Sequence, residues 1–188
     1  MQRAFVICIC VVTLSQSLVS SPGAENEEQQ ADFKFGGVPY FHRYAKDDLL
    51  EYTPKGQNDL NAWTDMVTLN FYRDAKDGDG LASIANRVLA TYQAGKGVIV
   101  KTDSVPRTND KPAEHLIVVI FVDPAFTEVA FTRLLMRDGM GMSVVYSYRI
   151  YGQRSANEMS AWCTQNGPPT EQKLMAWDTI PKVARNNH

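Results

Sequence analysis

Cysteine is scarce in this chain, with three in 188 residues, and two of these, Cys8 and Cys10, lie close to the N-terminus. Histidine is equally rare, at three. Neither Cys-x-x-Cys nor His-x-x-x-His spacing occurs, so the usual zinc ligand sets have no support and no metal is expected. Gly-x-Ser-x-Gly and Ser-x-x-Lys are missing too, which removes the commonest sequence marks of a serine nucleophile. An excess of one charge is also lacking. Nineteen Lys+Arg stand against 21 Asp+Glu, a formal net charge of −2, which excludes a basic nucleic-acid binder and a polyacidic disordered chain. No apolar run reaches the roughly 20 residues of a spanning helix, and no internal repeat is present.

What is there begins with Met1-Gln2-Arg3 and a compact apolar run, Ala4 to Leu14, that decays into Ser15-Gln16-Ser17-Leu18-Val19-Ser20. One cation, an apolar stretch and a small-residue end make a secretory signal peptide over residues 1–20, and with it a periplasmic or secreted destination. Its removal leaves residues 21–188 with 18 basic against 21 acidic side chains, a charge of −3, and Cys163 as the one thiol. Such a chain has no internal disulfide and is held by its packing. Residues 21–32 (SPGAENEEQQAD) offer no large apolar group and read as a flexible leader. Residues 33–181 read as one globular domain, and 182–188 as a flexible tail.

Within the domain, Tyr40–Ala45 and Leu49–Thr53 form a hairpin pattern around Lys46-Asp47-Asp48. Val67, Leu69 and Phe71 alternate with polar residues over Asp65–Tyr72, the mark of a half-buried strand. Leu81, Ile84, Ala85, Val88, Leu89 and Tyr92 make one helical stripe closed by Gly95 and Gly97. Val98-Ile99-Val100 opens a strand, and Pro106–Pro112 is a polar loop. Leu116–Val122 is apolar without alternation, as in a strand covered on both faces. Asp138-Gly139 between Thr127–Arg137 and Met140–Tyr151 signals a two-residue hairpin, with Arg137 opposite Met140 and Phe131 opposite Tyr146. Ser155-Ala156-Asn157-Glu158 reads as a capping box, Gly167-Pro168-Pro169 as a helix stop, and Thr170 as the cap of a last helix. The expected class is α+β, a mainly antiparallel sheet of about six or seven strands with helices on both faces.

Candidate sites are few. Asp77-Gly78-Asp79-Gly80 superficially resembles a calcium loop, but the bidentate Glu at its end is missing, and Asp77 or Asp79 serves better as a helix cap. Asp65 and Arg133 interrupt apolar faces and are candidates for a buried ion pair. Arg149, Tyr151, Arg133, Tyr146 and Tyr148 are candidates for a binding surface on the hairpin. Parity already separates Arg133 from Arg149. His115 with Cys163 or a carboxylate is the candidate reactive set.

The stretch Tyr52-Thr53-Pro54-Lys55-Gly56-Gln57, with Trp63 and the strand Val67–Tyr72, resembles small exported bacterial proteins and, at the level of topology, the Mog1/PsbP-like fold. That resemblance implies a layered sheet with helices on both sides, and partner binding or scaffolding without catalysis. It carries over no site residue. Two functions remain: an exported binding domain for a protein or small ligand, without cofactor, nucleic acid or a membrane span in the mature form; or a small exported hydrolase using His115 and Cys163 or a carboxylate.

Overall fold

The computed structural model describes residues 30–181. The expectations for residues 1–20 and 182–188, and for most of the leader, lie outside the described residues. Asp32, at the end of that leader, is already held: its amide donates to Tyr40 O at 2.9 Å, and its carboxylate accepts from His42 N at 2.8 Å.

Among the described residues there are eight strands and two helices. In chain order they are β1 (Phe33–Phe35), β2 (Val38–Lys46), β3 (Leu49–Pro54), β4 (Asp65–Tyr72), α1 (Gly78–Ala94), β5 (Val98–Val105), β6 (Glu114–Val122), β7 (Phe126–Arg137), β8 (Met140–Tyr151) and α2 (Ser155–Met175). The strands form one antiparallel sheet in the order β1-β2-β3-β4-β8-β7-β6-β5. The class is α+β, as expected, with one strand more than the sequence suggested. The addition is β1, only three residues long and too short to show a period. It folds back on β2 through Gly36 and Gly37 at φ +58° and +87°, a backbone that glycine adopts without penalty.

The β7–β8 hairpin has the register its turn demands, from Arg137 opposite Met140 to Phe131 opposite Tyr146. Asp138 and Gly139 both carry positive φ, the geometry whose twist matches the flanking strands. This register sorts every residue of β8 to one face. Val144 and Tyr146 face α2, together with Val67, Leu69, Leu116, Val118, Val129 and Phe131, and pack with Met159 and Leu174 of the helix and Trp177 just beyond it. Ile117 and Leu134 face α1, packing with Ala75, Leu81, Ile84 and Ala85. Burial of Leu116 to Val119 without interruption comes from cover on both sides.

Both helix ends of α1 are determined locally. Asp77 caps the start, its Oδ1 accepting from Gly80 N at 2.8 Å, so the acidic loop is a cap. At the exit Gly97 lies against β6: a Cβ there would come within 2.5 Å of Val119 Cγ2 and 2.9 Å of the Tyr92 carbonyl oxygen.

Two expectations about α2 are corrected. Gly167-Pro168-Pro169 does not divide it; a single helix of 21 residues runs from Ser155 to Met175 with both prolines inside. Proline clashes with the amide and Cβ of the preceding residue, and Gly167 has no Cβ to offer. The carbonyls left without helical donors are those of Thr164 and Gln165, both exposed and open to water. The capping box is not formed either. Ser155 is buried, its hydroxyl bonded to Thr127 Oγ1 at 2.9 Å, and the helix start has no side-chain cap. At the other end Arg133 fastens α2 to the sheet. Its Nη1 donates to Leu174 O at 3.0 Å and Trp177 O at 2.9 Å, where the helix dipole favours a cation.

Candidate binding cleft at the sheet edge

The strand β5 ends the sheet and, among the described residues, pairs only with β6. Its first half reads Val98-Ile99-Val100, and a bulge between Ile99 and Lys101 interrupts the ladder. Bulges and charges commonly blunt free edges. Beyond the bulge the pairing is regular, Lys101 to Val105 lying opposite Val118 to Glu114. Three valines of this strand stay in solvent: Val98 is 62% exposed, Val100 57% and Val105 51%.

Past the bulge, Lys101, Asp103 and Val105 pair with Val118, Leu116 and Glu114 and so share the face that α2 covers. The second half of α2 lies beside them without closing the gap. Between the two elements is an open cleft of about 300 Å³. Leu116 and Met175 form its apolar floor and Val105 and Pro168 its walls, while Asp103, Glu171 and Gln172 sit at the rim with the Ser104 backbone stretch. Lys101 Nζ donates to Glu171 Oε1 and lies 3.5 Å from Asp103 Oδ2. Two carboxylates share one ammonium, which leaves the rim with negative charge. An apolar floor under a few polar groups suits a ligand side chain with an aliphatic body and a polar or cationic neighbour.

The five hairpin candidates do not converge. Arg133 is buried and bidentate with Glu114, Nε to Oε2 at 2.7 Å and Nη2 to Oε1 at 3.0 Å. The expected Asp65–Arg133 pair is therefore absent, although both residues share a face. Asp65 instead accepts from the Tyr146 hydroxyl at 2.8 Å. Burial, and then the Asp65 carboxylate, push the Tyr146 phenol far above its ordinary range, so it stays a donor. Tyr148 stacks on Trp162 with ring centroids 4.3 Å apart. Arg133 and Tyr148 hold α2 to the sheet, Tyr146 ties β8 to β4, and the three form no exposed patch. Arg149 and Tyr151 lie on the opposite face. The Arg149 guanidinium is sandwiched 4.0 Å from the Trp63 and Phe126 ring centres, with Nη2 on Glu128 Oε2 at 2.7 Å. Tyr151 donates to Trp63 O at 2.9 Å. This second group pins the loop before β4 onto the sheet.

His115 and Cys163 are divided by the sheet. Cys163 packs on the α2 side, and burial raises its thiol pKa, keeping it from the nucleophilic thiolate. His115, next in the chain to Leu116, faces the other way, with Nδ1 2.9 Å from Ser104 Oγ. Its Nε2 is buried with no partner, and burial lowers the ring's pKa. A base of this kind needs a carboxylate or carbonyl to orient and stabilise its cation, and among the described residues none is bonded to either ring nitrogen. Sequence reasoning missed Lys101, Asp103, Glu171 and Gln172. Their only signal was a valine-rich strand followed by charge, and that does not reveal which strand ends the sheet.

No protein-family model and no curated protein sequence matches the chain. Solved structures do resemble it in topology. The Ran-binding protein Mog1p of Saccharomyces cerevisiae is similar at 13% identity, covering 74% of this chain and 88% of its own, with a TM-score of 0.45. A Mog1 point mutant is similar at 11% identity, with 75% and 89% coverage and a TM-score of 0.43. Human STARD10 is similar at 6% identity, with 72% and 71% coverage and a TM-score of 0.31. Among the described residues no helix is long and apolar enough to cross a membrane.

Proposed function

We propose that this protein is an exported, non-catalytic binding domain over residues 33–181 that works from the cleft between β5 and α2. One observation carries the reading: a cleft of about 300 Å³ with an apolar floor opens beside a free strand edge and carries excess negative charge at its rim. The cleft is walled by regular elements, so it is largely preformed. The Ser104 hydroxyl is engaged with the His115 ring, whose strand parity sets it on the opposite face. Export rests on the Met1–Ser20 pattern, and the partner is a protein or small ligand taken up outside the cytoplasm.

The test is capture from the exported fraction with the intact chain and with Gln172→Trp, which places an indole across the cleft mouth from an exposed position. A species held by the intact chain and released by Gln172→Trp, at unchanged melting temperature, supports the cleft. Equal capture by both chains removes the cleft from the function. Ester hydrolysis by the intact chain that is lost in Ser104→Ala would instead establish the hydrolase.

A further inference from the structure

Resting on that reading, we infer that the cleft receives an extended polypeptide segment, which adds to the sheet as a ninth strand along Lys101–Val105 and presents Lys or Arg two residues from an apolar side chain. Three features of β5 lead there. Its outer edge pairs with no other strand among the described residues, and the amides and carbonyls along such an edge are matched most fully by another strand. The bulge confines the regular stretch to Lys101–Val105, the part that borders the cleft. At the opposite end of the sheet β1 covers only Val38–Tyr40 of β2, and the cleft borders β5 rather than that edge.

The chemistry of the segment is set by strand geometry. Neighbouring strands lie about 4.8 Å apart, and alternate side chains share a face. An added strand therefore sets every second side chain over the α2 side, beside Asp103 and Val105. Opposite Asp103, with Glu171 behind it, a cation is favoured; Lys101 neutralises only one of these carboxylates. Opposite Val105 the floor of Leu116 and Met175 takes an aliphatic group. The spacing of those two demands is two residues, a cation–x–apolar pattern. A second copy of this chain fits less well. In an antiparallel β5–β5 pairing centred on Thr102, Lys101 would meet Asp103 of the other copy, but it would have to release Glu171 to do so.

The probe is an end-capped peptide of alternating Thr-Lys-Thr-Val-Thr-Lys-Thr-Val, compared with Glu in place of Lys and with a central Thr replaced by Pro. The Lys peptide binds at least about tenfold more tightly than the Glu peptide, a difference of about 1.4 kcal/mol. Proline abolishes binding, and the order of the two charged peptides reverses in Asp103→Lys. Bound peptide slows amide exchange within Lys101–Val105 and shifts the Leu116 and Met175 resonances. Equal affinity for both peptides, perturbations confined to the α1 face, or dimerisation through β5 that peptide does not disrupt would each overturn the inference. If Gln172→Trp loses its captured partner while no peptide binds, strand addition falls and the cleft remains. If neither effect is seen, both fall.

Discussion

Glu51 shows how much the surroundings of a single side chain decide. It stands on β3 opposite Thr68, on the face away from α2, and is half-buried. Burial raises its carboxyl pKa, Arg149 acts against that shift, and Glu128 adds to it. A carboxyl whose folded pKa exceeds its unfolded one binds protons more readily when folded, so its contribution to stability falls as pH rises through that window. At neutral pH the ionised Glu51 is thus a cost. Glu51→Gln should raise the melting temperature at pH 7, and the gain should vanish below about pH 4, where both states are protonated. Thermal melts across that range check the sign. Residue-level parity was legible in the sequence: Asp65 and Arg133 do share a face. Their partners were not, because Glu114 and Tyr146 reach them across other strands, and alternation says nothing about reach.

At the scale of elements, the sequence was most legible where a turn dictates the pairing of its arms. Asp138-Gly139 settles a two-residue loop, and that loop determines the register of all twelve residues in each arm. It was least legible where a local breaker is overruled. Gly167-Pro168-Pro169 reads as a stop, yet Met159 and Trp162 before it, and Leu174, Trp177 and the Arg133 bonds to the helix end after it, hold the chain in line. The prolines survive because the carbonyls they strand are exposed. Pro169→Ala should therefore restore a helical bond to Gln165 and stabilise the protein by about 1–2 kcal/mol, after allowing for the freer unfolded chain. Urea denaturation measures it. A loss of stability would show that the prolines shape α2 in some way that the missing bonds do not capture.

At the scale of the whole molecule, the cleft was illegible because residues far apart in the chain build it. β5 and the second half of α2 meet only once the sheet order is known, and no local pattern marks an edge strand. The bulk composition was more informative about what holds the fold together. With the first 20 residues removed, Cys163 is the only thiol, so reductant should leave the melting temperature of the exported form unchanged. Calorimetry with and without dithiothreitol, on protein whose mass begins at Ser21, tests both the cleavage and the reliance on packing. A fall in melting temperature with reductant would mean that Cys163 joins two chains through a disulfide.

The sheet order has a consequence in time. β4 is finished at Tyr72, but its neighbour β8 begins only at Met140, after α1 and three further strands. The β1–β4 meander therefore emerges first, with the apolar Val67, Leu69 and Phe71 uncovered and one side of β4 open. Joining the two halves is a late, non-local step, slow compared with closing either hairpin. A chain that crosses a membrane before it folds would pass through that interval after export, in a compartment where an unfinished strand can meet other chains. The opportunity for misassembly thus lies in the delay between β4 and β8, at the middle of the finished sheet.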